Sequence, residues 1–427
     1  MKTYDFYKWR IWIILAFSFV MALFHRSALG AISSDVSKDL GLAASQLSNL
    51  ASLTFYTYAM MQIPSGILLD RFGYKLMSMF GMLATGIGSI LFAFANHIAF
   101  AYAGRFLIGL GTSVIFISIL KAQQIWFTKE EFTKASGLLS FIGNIGGVVA
   151  TFPLALLAVM MGWRSSMVFM GLLCIIISCL IFFFTASHPK DYGLIPPSSD
   201  QATQDKSSTS LLKSLKEVIM SPHTWRNFFV LFTIVSCTTT LTGLWGIRYL
   251  ETVYEMSSTK ASFYIAFIIY GLVIGSLSVN KIASLCGDKL YLYPRISCSV
   301  MALFWFYILV FAKGKPSLII LVIVFFMMGF VAMSHILAFT DINQHVSSEN
   351  NGLASSVINS GEFLGSSLLS LIIGTILDLT WSGEAINGVR FYSPNSYTLA
   401  FSIFLIISLL GIATGFIGVS KKGCRKM

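Results

Sequence analysis

The sequence predicts an all-α membrane protein of twelve transmembrane helices arranged as two pseudo-symmetric six-helix bundles. Three features carry that expectation: an apolar composition, the spacing of the apolar runs, and one polar interruption near the middle. Of the 427 residues 56% are hydrophobic and only 11% charged, with a mean hydropathy of +0.78. Soluble domains carry about 25% charged residues to keep a wet surface, so this chain belongs in lipid. Runs of about 20 apolar residues, the length that crosses a hydrocarbon core as a helix, recur from one end to the other.

Taken in order, the runs place spans at 11–33, 48–69, 75–96, 99–126, 135–160, 165–187, 225–248, 260–284, 292–312, 317–342, 352–378 and 396–419. The first is read as an integral helix, not a cleavable signal, because it is long, lacks an A-x-A-like end and leads directly into further spans. After span six the composition turns to His188-Pro189-Lys190-Asp191, and then to a Pro, Ser, Gln and Asp-rich stretch from Pro196 to Ser210. The expected division is a bundle over 1–187, a linker over 188–222 and a second bundle over 223–427, as two parallel repeats require. Within the linker, Leu211 to Met220 reads as a short amphipathic helix on the membrane face or as ordinary structured linker.

The net charge of +11 would suit nucleic acid, but its placement points elsewhere. Counting charges at span ends with the loop they adjoin, 19 of the 29 Lys and Arg fall in the termini and even-numbered loops, 7 in odd-numbered loops and 3 inside helices. That is a positive-inside pattern with both termini cytoplasmic. The linker and tail bases, among them Lys206, Lys213, Lys421, Lys422, Arg425 and Lys426, read as topology determinants near anionic lipid. Cys174, Cys179, Cys237, Cys286, Cys298 and Cys424 include no C-x-x-C pair and imply neither disulfide nor metal. No P-loop or metal-ligand cluster suggests an enzyme or a cofactor, and His335 and Asp341 are one residue too far apart for an acyltransferase pair.

The loop after span two reads Gly66-Ile-Leu-Leu-Asp70-Arg71-Phe-Gly73-Tyr74-Lys75, and the loop after span eight, Ala283-Ser-Leu-Cys-Gly287-Asp288-Lys289, looks like a decayed copy. The first resembles the signature of the major facilitator superfamily, G-x-L-x-D-[RK]-x-G-[RK]-[RK], departing at Tyr74. Two further elements are similar to family features: Gly104-Arg105-Phe-Leu-Ile-Gly109-Leu-Gly111 at the start of span four and Gly162-Trp163-Arg164 after span five. The resemblance covers essentially the whole chain. It implies a secondary transporter in a bacterial inner membrane, a monomer, working by alternating access. It also implies a conformational latch at Gly66, Asp70, Arg71 and Gly73, and a structural or gating role for Arg105. Span five has Gly143-Asn144-Ile-Gly146-Gly147 with Pro153 displaced, where drug-proton antiporters of the superfamily carry G-P-x-x-G-G. This favours uptake over drug export.

An ionisable group at membrane depth costs several kcal/mol unless it meets a partner or a wet cavity. Arg26 and Glu362 each lie within about 7 Å of the middle of their spans, counting about 1.5 Å per residue. Leu23-Phe-His25-Arg26 resembles the arginine segment of organic-anion facilitators, where the planar guanidinium clamps a carboxylate or phosphate; a gating pair or snorkelling are the other readings. Glu362, within Asn359-Ser-Gly-Glu362-Phe-Leu-Gly365, suits a proton carrier, a partner for a cargo amino group, or a static hydrogen-bonded group. His25 and His335 are titratable near mid-depth and are candidates to relay protons, or to stay simply hydrogen-bonded; His335 is placed with Glu362 in proton coupling and His25 with Arg26 in cargo binding. Trp245, in Gly243-Leu-Trp245-Gly, joins Asn144, Asn359, Tyr270, Tyr58 and Gln123 as candidate cavity surface, and Lys121 reads as snorkelling.

The expected function is proton-coupled import of a small solute bearing a carboxylate, an amino acid or organic acid. The alternatives are import or export of a siderophore-like polycarboxylate, and drug efflux.

Overall fold

The computed structural model describes residues 2–194, 211–286, 289–347, 350–386 and 389–417. The polar stretch Pro196 to Ser210, Gly287 and Asp288 of the second loop, and the tail with Cys424 lie outside the described residues. Nearly everything described is helix. The first bundle comprises α1 (Lys2–Leu40), α2 (Ala44–Ala93), α3 (Ile98–Ser113), α4 (Ile115–Trp126), α5 (Lys129–Val149), α6 (Phe152–Met161) and α7 (Trp163–Phe184). After α8 (Leu211–Met220) the second bundle comprises α9 (Pro222–Val230), α10 (Ser236–Thr240), α11 (Gly246–Val253), α12 (Ser258–Cys286), α13 (Leu292–Phe306), α14 (Leu318–Ala332), α15 (Ile336–His345), α16 (Asn351–Leu379) and α17 (Pro394–Thr414). A short antiparallel hairpin, β1 (Ala385–Ile386) with β2 (Val389–Arg390), joins α16 to α17.

Eleven described stretches are long and apolar enough to cross a membrane, and α2 reconciles that number with twelve crossings. Its 50 residues would extend about 75 Å at 1.5 Å per residue, more than twice a hydrocarbon core of about 30 Å. The path reverses at Gly73, whose φ of 74° and ψ of 164° lie in a region essentially reserved for glycine. Spans two and three are therefore one hydrogen-bonded run with a sharp reversal. Span one is longer than its apolar core: α1 continues until Gly41, at φ 63°, because no breaker precedes it. Span seven, Pro222–Val253, is interrupted by two five-residue π-helical turns, Leu231–Val235 and Leu241–Trp245.

The helices alternate between two membrane faces, named here for the reversals at Gly41 and Gly73. The bundles close on each other at the Gly41 face. Ser34 Oγ donates to Glu251 Oε2 at 2.5 Å, Ser258 Oγ to the Ala31 carbonyl at 3.1 Å, Ser48 Oγ to the Ser370 carbonyl at 2.8 Å and Ser52 Oγ to the Ser367 carbonyl at 3.2 Å. There α1 meets span seven backbone to backbone: a Cβ on Gly30 would sit 3.0 Å from the Gly243 carbonyl. At the Gly73 face the ion pairs stay inside one bundle, Lys8–Glu131 (2.7 Å) and Lys121–Asp70 (3.2 Å) in the first, Arg226–Asp341 (2.5 Å) in the second.

Candidate functional site

Between the bundles, at mid-depth, lies a cavity of about 230 Å3. From the first bundle, α1 contributes Phe19 and Arg26, α2 contributes Thr54, Phe55 and Tyr58, and α3 contributes Thr112; from the second come His335, Asn359, Glu362 and Phe363. At its centre the Arg26 guanidinium forms an ion pair with the Glu362 carboxylate. The two side chains, 21% and 9% exposed, come from opposite bundles. Aromatic faces hold the guanidinium on two sides, with Phe363 at 5.1 Å and Phe55 at 5.7 Å from its carbon; such contacts favour the cation by about 0.5–2 kcal/mol. Tyr58 stacks on Phe363 at 4.1 Å, so this aromatic floor also crosses between bundles.

Of the candidate residues, Arg26, Glu362, His335, Asn359 and Tyr58 come together here. His335 sits in a 3-10 turn that breaks span ten, its Nδ1 2.7 Å from the Ala332 carbonyl, which leaves Nε2 available to the cavity. The other candidates lie outside this cavity. His25 is fully buried inside the first bundle, 3.5 Å from Cys174 Sγ, because it points away from the face that carries Arg26 one residue later. Trp245 is 1% exposed and donates to the Ser370 carbonyl at 3.2 Å, packing the Gly41-face closure. Asn144 is half-buried on α5 and Tyr270 exposed on α12; neither lines the cavity. Gln123 is buried and accepts from Ser136.

Arg105 is 1% exposed and donates to the carbonyls of Leu50 (3.2 Å) and His25 (3.1 Å), tying α3 to α2 and α1. In the loop at Gly73, Asp70 pairs with Lys121 and Arg71 lies over Phe72 at 5.3 Å, while a Cβ on Gly66 would point into open space, with nothing beyond its own chain neighbours within 4 Å. Tyr74, the departure from the signature, is buried and donates to the Ala186 carbonyl while accepting from Trp126 at 2.8 Å. It fastens the reversal to the ends of α4 and α7. Gly162, at φ 82°, turns the chain so that Trp163 donates to Asp39 at 2.9 Å and Arg164 to the Ala93 carbonyl at 2.7 Å. His223, Asp341 and His345 also come within 4.8 Å of one another. Asp341 Oδ2 is already taken by Arg226 (2.5 Å) and Asn227 (2.6 Å), so the cluster is held as an ion-pair knot.

Thr54, Phe55, Thr112, Phe19 and Phe363 line the site unannounced by the sequence, since nothing in it separates a cavity-facing Phe or Thr from the many that pack.

Two six-helix bundles facing each other across a charged central cavity define a multi-pass membrane carrier. The chain belongs to the Major Facilitator Superfamily, whose family model matches residues 15–370; it is a membrane transporter, not an enzyme. The uncharacterized transporter YybO of Bacillus subtilis (strain 168) is 24% identical over 419 residues, covering 95% of this chain and 92% of that one. The membrane sensor protein UhpC of Salmonella typhimurium is 25% identical over 301 residues (67% and 66%). The probable L-galactonate transporter of Escherichia coli is 23% identical over 385 residues (87% and 83%). Among solved structures, a bacterial homologue of the human lysosomal transporter Spinster, inward-facing and unoccupied, superposes with a TM-score of 0.75 at 14% identity over 96% of each chain.

Proposed function

We propose that this protein imports a small organic anion carrying a carboxylate, by proton symport through alternating access. The observation that carries the reading is the Arg26–Glu362 pair bridging the two bundles inside the cavity. An isolated buried charge costs several kcal/mol, and a partner of opposite charge offsets much of that cost. The empty carrier is neutral at this site, with Arg26 satisfied by Glu362. A carboxylate cargo competes for the same guanidinium, and Glu362 then sits unpaired unless it takes up a proton. With cargo on Arg26 and a proton on Glu362 the site is neutral again. Only the empty and the doubly loaded forms avoid an unpaired charge, so only these reorient readily, and one proton accompanies each monoanion.

The cavity volume of about 230 Å3 falls below the roughly 300–1,000 Å3 of drug-sized sites, which favours a sugar acid or amino acid over a siderophore or drug. A relative named as a probable L-galactonate transporter, galactonate being a carboxylate, supports the same class. His335 and Asn359 supply polar contacts for the remainder of such a cargo. The positive-inside pattern assigns the Gly73 face to the cytoplasm, and the Gly41 face, where the bundles are closed, to the outside.

Proteoliposomes under an inward proton gradient test this with a labelled panel of sugar acids, amino acids, sugar phosphates and neutral sugars. The expected result is gradient-driven uptake of a carboxylate, with apparent affinity reduced at least about thirtyfold in Arg26→Ala, since losing a buried charged contact costs 2–5 kcal/mol. Glu362→Gln should retain exchange of internal for external cargo but lose uphill accumulation. Preference for neutral solutes, or unchanged transport in both variants, would remove the mechanism. If Glu362→Gln instead abolishes binding of amino acids alone, Glu362 holds the cargo ammonium. Saturable binding without flux would place the chain with its sensor relative.

A further inference from the structure

The first turn of α2 has an unusual N-terminus. Its N-cap position is Ala43, which has no side-chain acceptor, and although Gln46 Oε1 accepts the Ala43 N–H at 3.0 Å, the next N–H groups have no cap from their own helix. Helix starts of this kind are ordinarily capped by Ser, Thr, Asp or Asn. Here the acceptor comes from the other bundle. Asp378, in the last turn of α16, accepts from the Ala44 N–H through Oδ1 at 3.1 Å and from the Ser45 N–H through Oδ2 at 2.9 Å. The Tyr392 hydroxyl accepts from the same Ala44 N–H at 2.9 Å and donates to Asp378 Oδ1 at 2.7 Å. Burial, and then the bond to Asp378, raises the Tyr392 hydroxyl above the ordinary tyrosine range, which keeps it a donor. Arg390, on the hairpin after α16 and lying over Trp381 at 4.2 Å, reaches Asp378 Oδ1 at 3.4 Å.

Below this knot α2 and α16 touch along their lengths. A Cβ on Gly374 would lie 2.8 Å from the Ala44 carbonyl oxygen, and the Ser48–Ser370 and Ser52–Ser367 bonds follow in sequence towards the cavity. Opening the cavity to the Gly41 face requires α2 and α16 to part here, which leaves two backbone N–H groups and a carboxylate without these partners. A carboxylate at a helix N-terminus interacts with both the N–H groups and the helix dipole, and it loses both at once on separation.

We propose that Asp378 is the positioning residue of the Gly41-face gate: by capping α2 in trans, with Tyr392 and Arg390 orienting it, it sets how much of the time the cavity is closed on that side. Asp378 touches no cargo; it acts through the end of α2. The role goes beyond the cargo and coupling argued above and is tested without either.

The test is side-specific labelling in sealed vesicles of both orientations, using a single cysteine at Asn359 in a background freed of the native cysteines and an impermeant maleimide. Asp378→Ala should raise the labelling rate from the Gly41 face about tenfold, equivalent to about 1.4 kcal/mol in the gate equilibrium, and lower it from the Gly73 face. Tyr392→Phe, which keeps the ring packing, should give a smaller shift in the same direction, and Asp378→Glu should restore most of the wild-type ratio. Unchanged rates from the Gly41 face in both Asp378→Ala and Tyr392→Phe would overturn the proposal. Faster labelling from both faces would overturn it too, because it would show general loosening of the bundles. If Asp378→Ala does not assemble, Tyr392→Phe alone decides by the same criterion. None of these outcomes depends on knowing the cargo, so failure of the gate and failure of the symport reading are told apart.

Discussion

Arg26 and Glu362 act as one unit, and their separate substitution should reveal it. Removing either partner leaves the other charge without its counter-ion, a change that costs about 3–5 kcal/mol for buried pairs. Thermal unfolding in detergent should therefore show a marked fall in midpoint for Arg26→Ala and for Glu362→Leu, with the double variant recovering most of the loss. Strictly additive losses would mean that the two charges do not share a site. Arg26→Lys should behave closer to Arg26→Ala than to wild type in cargo affinity, because an ammonium lacks the planar fork and the aromatic stacking that Phe55 and Phe363 give the guanidinium. Both charges were legible in the sequence as costly intramembrane groups. Their pairing was not, since 336 positions separate them and no local rule joins a residue of span one to one of span eleven.

The elements are shaped by a few backbone positions. Gly73 holds a conformation that costs a side-chain-bearing residue about 1–3 kcal/mol, so Gly73→Ala should lower the unfolding midpoint or expression without altering cavity residues. Unchanged stability would mean that the reversal relaxes to another geometry. Gly30 faces the Gly243 carbonyl at a distance that leaves no room for a branched side chain. Gly30→Val should hold the bundles apart at the Gly41 face and trap the carrier open there, read as faster side-specific labelling and slower net transport. The apolar runs announced nearly every span in the right place. They did not announce that spans two and three form one run through Gly73, that span seven carries π-helical turns, or that Trp245 in that span faces a neighbouring helix carbonyl. Periodicity reports that a helix has a buried face, whereas the neighbour on that face is chosen by packing.

For the whole molecule, the arrangement of two bundles closed at one face and joined at mid-depth by an ion pair predicts that cargo stabilises the carrier by mass action. A carboxylate cargo at about 100 times its Kd should add about 2.7 kcal/mol to stability and raise the unfolding midpoint, and should do neither in Arg26→Ala. A cargo-dependent shift that persists in Arg26→Ala would move the binding site elsewhere. The sequence by itself determined the membrane setting, the twelve crossings, the loop motif at Gly73 and the presence of two charges at membrane depth, because length, hydropathy and local motifs are properties of neighbouring residues. The tertiary structure alone decided which bundle each charge answers to, that His25 and Trp245 face inward to packing, and that Ala43 leaves the cap of α2 to Asp378 of the opposite bundle. Those outcomes depend on contacts between residues hundreds of positions apart, and such contacts exist only once the helices have assembled.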